Sequence, residues 1–262
     1  LDTKKENDLV VHFLSDVRIE QVASDAEVIA QIDVNRRRTI TQNHSATHLV
    51  QAALQEVLGK HVAQKGSLVN EDLLRFDFSH FQKVTDEEIV KIEQIVNAKI
   101  AENIPLLEER NVPIAQAKEK GAMALFGEKY GDFVRVITFD KNYSVELCGG
   151  THVPATGEIG LCKIITETSV ATGVRRIEAI TSQQAYALLS EQEALITELN
   201  ALLKAPKDLV KAVAALIEQS NQLQKSIAQY QAKEIGGLKA ELVKQINTKA
   251  HLRHLWFCEI CR

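Results

Sequence analysis

The alternation of polar and apolar positions changes its period several times along the chain. Between Leu9 and Val34 the runs LVVHFLSDVRIEQV and AEVIAQIDV alternate every second residue. A period of two buries one face of an extended chain, so these runs predict β-hairpin material. We read residues 1–38 as the end of a small barrel-like subdomain. Over 43–58 the period becomes helical: Leu49, Ala52, Ala53 and Val57 form one stripe, and Asn43 stands where a cap belongs. HVAQKGSLV and LLRFDFSHF then predict two strands around a turn. In TDEEIVKIEQIVNAKIAENI, residues Ile89, Ile92, Val96 and Ile100 recur at helical spacing behind a Thr85–Glu88 capping box. IPLLEERNVP predicts a strand bounded by Pro105 and Pro113, and IAQAKEKGAMALF a short helix ending near Gly127. Four more strands follow, DFVRVITFD, YSVEL, GLCKIITETSV and VRRIEAITS, the last two joined by a turn at Gly173. Helices and strands are interspersed without a βαβ repeat, and several strand pairs have short links. That predicts an α+β fold over 39–181, a mostly antiparallel sheet with helices packed on it.

After Thr181 the pattern is helical to about residue 247, with expected breaks at Ala205-Pro206 and Gly236-Gly237. Leu209, Val213, Leu216, Ser220, Leu223, Ile227 and Tyr230 follow 4-3-4-3 spacing, a heptad seam with one polar position. Ala185, Leu189, Ile196, Leu199 and Leu203 give the preceding helix a similar face. A helical hairpin packed on itself and a spacer that mediates homo-oligomers both fit residues 182–247. Residues 248–262 contain His251, His254, Cys258 and Cys261, but the two pairs lie too close together for a finger of the usual spacing. They are read as a tail foreign to the rest of the fold.

Composition narrows the function classes. A length of 262 residues suits two domains, and 45% hydrophobic with 25% charged residues is globular. No apolar run is long enough for a membrane span, so no membrane partner is expected, and the polar start LDTKKENDLV is no signal peptide. The first residue is not Met, which suggests a piece of a longer protein. A net charge of −4 leaves nucleic acid to local basic patches: Arg36-Arg37-Arg38, Lys60 with Lys65, and Arg175-Arg176. Any one of these alone reads as an ordinary solvated face. Four cysteines in this length make no disulfide framework, and a reduced thiol in Cys148 points to the cytoplasm.

The candidate chemistry lies in two pairs. His44 and His48 in NHSATHLVQAAL are four apart on a helix, so their imidazoles project side by side. Cys148 and His152 in ELCGGTHV repeat that spacing on a tight turn, where Gly149 and Gly150 allow close backbone approach. Three imidazoles and a thiolate suit one Zn2+. Four protein ligands would fill a tetrahedron, as in structural zinc, whereas catalytic zinc keeps a position open. The spacing leaves that choice open. Thr47 could offer a hydroxyl and Gln64 an amide, or both could be surface residues. The Gly149 and Gly150 N–H groups could hold a developing oxyanion. No Ser-His-Asp arrangement is present, so water is the expected nucleophile. A zinc-protease helix would carry Glu after its first His; here Ser45 follows His44.

In this order, NHSATHLVQAAL, VAQKGSLV with LLRFDFSH, ELCGGTHV with TGEIG, and GVRRIEAIT resemble the editing region of alanyl-tRNA synthetases over roughly residues 1–245. The resemblance implies the editing fold shared with threonyl-tRNA synthetases, with zinc on His44, His48, Cys148 and His152. It also implies Thr47 and Gln64 near the bound aminoacyl group, and hydrolysis of tRNA(Ala) mischarged with serine or glycine. ATP and Mg2+ would serve only a synthetase domain outside this chain, and 182–247 would be the helical spacer beyond the editing domain. Two other readings remain: a zinc-stabilised tRNA-binding module without hydrolysis, and a free-standing editing protein, against which the helices count.

Overall fold

The computed structural model describes residues 2–7, 9–13, 27, 29, 31–123 and 130–260, with the backbone alone from 247 onward. The chain divides into two compact units, 1–186 and 187–262.

The first unit opens with a hairpin of β1 (Asp2–Glu6) and β2 (Leu9–Phe13). The expected alternating strand therefore pairs with the polar segment before it. Residues 14–26, where the expected hairpin continued, lie outside the described residues. Helix α1 (Val34–Leu58) begins nine residues earlier than the spacing predicts. Its cap is Asp33, whose carboxylate accepts from Arg36 N, and not Asn43. Asn43 is fully buried inside the helix, where its amide donates to Asn70 O and accepts from the Thr181 hydroxyl. A cap signature thus proved to be a tertiary clasp. The helix ends at Gly59, whose φ of +116° is a conformation L side chains rarely adopt.

Strands β3 (Gln64–Val69), β4 (Leu74–Ser79), β8 (Cys162–Ala171) and β9 (Val174–Thr181) form an antiparallel sheet in the order β3-β4-β9-β8. Gly173, at φ +73°, turns β8 into β9. Helix α2 (Asp86–Ala101) carries the expected capping box, with Thr85 and Glu88 each bonding the other's backbone N–H. It buries Ile92, Val96 and Ile100. Together with Leu49, Leu54, Phe76, Phe78 and Ile177 these make the main core between the helices and the sheet.

A second sheet, β5 (Leu107–Pro113), β6 (Phe133–Asp140) and β7 (Ser144–Leu147), is also antiparallel. It has its own small core of Val112, Ala117, Val134, Val136 and Leu147 under α3 (Ile114–Glu119). Helix α3 is shorter than expected because Gly121 takes φ +78° and Met123 bridges to Glu146. Residues 124–129 lie outside the described residues. The fold is α+β, as the sequence predicts.

Beyond this lie α4 (Ser182–Leu202) and α5 (Leu209–Ile260). The break at Ala205-Pro206 is present, with Lys204 and Ala205 at positive φ. The expected break at Gly236-Gly237 is absent: α5 runs through both glycines. Glycine weakens a helix by about 1 kcal/mol without forbidding it, and the neighbours Glu234, Leu238, Lys239, Ala240 and Glu241 are good helix formers. The helix continues to Ile260, so the tail is helical in backbone. The His251, His254 and Cys258 side chains, and Cys261 entirely, lie outside what is described. No described helix is long and apolar enough to cross a membrane.

Candidate metal centre

From Gln42 to Leu54, helix α1 is buried almost all round, apart from the half-buried His44. Polar groups in such a setting need partners, and most have them. Gln42 donates to Glu158 O, the Thr47 hydroxyl donates to Asn43 O, and the Ser45 hydroxyl accepts from Val153 N. His44 finds its partners in the loop that follows β7, and His48 lies against that loop's His152 and against Glu146 on β7.

That loop carries Cys148 and His152. Arg135 on β6 holds it in place, donating to the carbonyl oxygens of Cys148 and Gly150 while its Nε donates to Glu108. Gly150 lets the loop approach: a Cβ there would stand 2.0 Å from His44 Cε1. Gly149 has open space around it.

The two pairs meet. The ligand atoms of His44, His48, Cys148 and His152 all lie within 4.8 Å of one another. Cys148 Sγ is 3.4 Å from His44 Nε2 and 3.3 Å from His152 Nε2. The three ring centroids are 4.3, 4.5 and 5.3 Å apart. Each imidazole also has a group behind it. His44 bonds the Thr151 backbone, and His152 Nδ1 lies 3.2 Å from the Ser45 hydroxyl. His48 Nδ1 lies 3.4 Å from Glu146 Oε2, which leaves Nε2 facing the cluster. This is how ligating histidines are oriented in metal sites.

Electrostatics favours the ligand forms. Burial lowers the pKa of all three histidines and the Arg135 charge lowers it further; neighbouring rings add to this for His48 and His152, while the Thr151 backbone opposes it at His44 and Glu108 opposes it at His152. His152 falls to about 3. Neutral imidazole is the form that binds metal. Burial alone raises the Glu146 carboxyl to about 8. His48 Nδ1 and Glu146 Oε1 are both buried without an aligned hydrogen-bond partner. A positive charge at the centre would compensate this buried carboxylate.

The donor set fits zinc. With Zn–S near 2.3 Å and Zn–N near 2.05 Å, a tetrahedron has an S···N edge of about 3.5 Å, close to the two edges observed. Beside the loop lies a cavity of about 410 Å3 lined by Arg110, Phe133, Arg135, Gly149, Gly150 and Thr151.

The other sequence-derived residues fall elsewhere. Thr47 is buried one residue from His48 with its hydroxyl turned back to the helix. Gln64 opens β3 opposite Phe78 and is half-buried. Among the described hydrogen bonds, neither reaches the four ligands. Arg36 pairs with Glu71, Arg175 with Glu167, and Arg176 with Asp77, each through two hydrogen bonds. Arg38 lines a separate polar cavity with Gln42 and Gln184, and Arg37 is exposed on the first turn of α1. Sequence reasoning missed Glu146, Arg135 and Ser45. Only Glu146 left a trace, an acidic residue inside a strand two positions before Cys148.

The profile of the threonyl and alanyl tRNA synthetase second additional domain matches residues 134–178. The alanine–tRNA ligase of Cytophaga hutchinsonii is 56% identical over 236 residues, covering 89% of this chain and 26% of that protein. That of Bacteroides fragilis is 49% identical over 258 residues, covering 98% of the chain and 29% of the protein. That of Pseudoalteromonas translucida is 48% identical over 227 residues, covering 86% and 26%. The chain thus spans less than a third of the length of these relatives, and its match runs through both the ligand motifs and the helices. The chain belongs to the alanyl-tRNA synthetase family, as a segment that contains the second additional domain.

Proposed function

We propose that this segment hydrolyses the ester of tRNA(Ala) wrongly charged with serine or glycine, at one Zn2+ held by His44, His48, Cys148 and His152. The observation that supports it is the convergence of four donors from α1 and the 148–152 loop beside an open cavity. The need for such a step is physical. A pocket that must admit alanine rejects glycine, or serine with its added hydroxyl, by only a few kcal/mol at best, so a second hydrolytic site is required.

In this reading the family's ATP- and Mg2+-dependent attachment of alanine is carried out by parts of the enzyme outside this chain, in the cytoplasm. Bound zinc would supply Lewis acidity toward an ester carbonyl or anchor the α-amino group. The protein's own groups do the rest. Arg135 fixes the loop so that the backbone of Gly149 and Gly150 faces the cavity. Their N–H groups stabilise the oxyanion formed as water adds. Glu146, Ser45 and the Thr151 backbone hold the three rings in register. Thr47 and Gln64 border the aminoacyl group, and the cations Arg36, Arg37, Arg38, Arg175 and Arg176 contact tRNA phosphates. The three of them in ion pairs must share their charge with carboxylates.

A second reading is favoured by the depth of His48, which is 4% exposed. Four protein ligands suit a structural zinc, and the segment would then only present tRNA. The test is single-turnover deacylation of Ser-tRNA(Ala) and Ala-tRNA(Ala) by the zinc-loaded and zinc-depleted chain, with Cys148→Ala alongside. We expect zinc-dependent loss of serine alone, abolished by the substitution. A zinc-bound chain that leaves both Ser-tRNA(Ala) and a small serine ester intact supports the structural reading. The exposed apolar positions Val213, Leu216, Leu223, Ile227 and Tyr230 on α5 support homo-oligomerisation through 182–247, checked by light scattering of the chain.

A further inference from the structure

An irregularity in the second sheet builds the wall of the cavity beside the 148–152 loop. Strand β5 pairs with β6 through Glu109 opposite Val136 and Val112 opposite Val134, so Arg110 and Asn111 together face the one residue Arg135. Such a bulge re-aims side chains, and bulges are frequent beside active sites. Asn111 takes φ +54°, a conformation that asparagine adopts more readily than most residues. On β6, Val134 and Val136 are buried in the small core, and the alternation of the strand puts Phe133 and Arg135 on the opposite face. There Arg135 grips the carbonyl oxygens of Cys148 and Gly150, whereas Phe133 is 64% exposed. Phe133 borders the cavity of about 410 Å3 together with Arg110, Gly149 and Gly150, and it also borders a second cavity of about 260 Å3 on the side of Tyr130 and Cys148.

We propose that Phe133 is the platform on which the terminal adenine of the RNA substrate stacks, so that the site selects nucleoside esters over simple ones. The proposal rests on the hydrolytic reading above. An ester on the ribose of a terminal adenosine brings the base with it, and a carbonyl held by the Gly149 and Gly150 backbone places that base one ribose away. Phe133 lies one same-face step, about 7 Å, from Arg135 along β6, and Arg135 is the residue bonded to Gly150 O. An exposed aromatic ring at that reach is what a base needs, because every base offers a π-face for stacking. Phe133 is already paired with Pro113 on β5, so its backbone is fixed and little ordering is left for binding. The charge of the wall suits the rest of the nucleotide. Arg110 and Arg135 both donate to Glu108, which sets two guanidinium groups against one carboxylate. The surplus positive charge favours the phosphate that joins the adenosine to the RNA.

The test uses the zinc-loaded chain with Phe133→Ala, Phe133→Leu and Phe133→Trp, each compared with the parent at matched thermal melt and zinc content. Calorimetry measures binding of a seryl amide of adenosine, which resists hydrolysis, and kinetics compare the seryl ester of adenosine with serine methyl ester. We expect Phe133→Ala and Phe133→Leu to bind the amide about tenfold more weakly or worse, and Phe133→Trp to bind it at least as well as the parent. The preference for the adenosine ester over the methyl ester should fall by a like factor in the first two variants, through KM rather than kcat. No binding of the amide by the parent, the same affinity in the parent and Phe133→Ala, or equal weakening by Phe133→Trp overturns the proposal and leaves Phe133 a surface residue. A chain that hydrolyses neither ester, yet loses the amide in Phe133→Ala and recovers it in Phe133→Trp, keeps the adenine platform and sinks the hydrolytic function instead.

Discussion

Gly149 and Gly150 are adjacent in sequence and opposite in consequence. A Cβ on Gly149 meets nothing within 4 Å, whereas on Gly150 it would stand 2.0 Å from His44 Cε1 and 2.5 Å from Nδ1. Neither residue has positive φ, so alanine strains neither backbone. Ordinary contact begins near 3.4 Å, and so in Gly150→Ala the His44 ring must retreat by about 1.4 Å. Metal–ligand distances tolerate only about 0.2 Å. The ring cannot both clear the methyl and stay in the cluster. Disturbing a group that merely orients a ligand typically costs 10–100-fold in metal affinity, and displacing the ligand should cost at least that. Chelator competition for Zn2+ on wild type, Gly149→Ala and Gly150→Ala measures it. Gly149→Ala should bind like wild type, and Gly150→Ala at least tenfold more weakly, with loss of whatever hydrolysis depends on zinc. If Gly150→Ala keeps wild-type affinity, the close approach of loop and helix is not what forms the site.

Four further outcomes follow from the packing and the charges. Phe76 is fully buried in the main core, so Phe76→Ala should cost about 3–5 kcal/mol in denaturant unfolding. Thr85→Ala removes one half of the α2 capping box and should cost about 1 kcal/mol. Arg135 and Arg110 hold the Glu108 carboxyl down to about 2. A lowered folded pKa stabilises above the unfolded value and is lost as pH falls toward the folded one, so Glu108→Gln should flatten the stability profile between about pH 4.5 and 2. Burial pushes the Cys162 thiol up to about 12, so peptide mapping after iodoacetamide treatment of the native, chelated chain should find Cys148 modified and Cys162 untouched. Labelling of Cys162 at a comparable rate would contradict its burial.

The strands, α2 with its cap, and the break before α5 were legible because each is coded locally, by period, by a Thr–Glu box, or by a proline. What was not legible depended on distant partners. Asn43 carries the composition of a cap, but Asn70 and Thr181 lie 27 and 138 residues away, and they turn it into an internal clasp. The four clustered residues could be named because two i, i+4 pairs of imidazole and thiol side chains are rare together. Their supports could not: Arg135 on β6 reads as one more surface cation until the loop folds over it. Glu146 reads as a solvent-facing strand residue until its carboxyl is found at 2% exposure beside His48. The glycine pair in α5 shows the opposite failure, where a local breaker was outvoted by a long run of helix formers.

Zinc K-edge absorption on the metal-loaded chain tests the central claim most directly. One sulfur at about 2.3 Å and three nitrogens at about 2.0–2.1 Å, with the sulfur shell lost in Cys148→Ala, is the result the geometry predicts. A first shell with no sulfur, or one unchanged by that substitution, would mean that the two motifs do not hold a metal together.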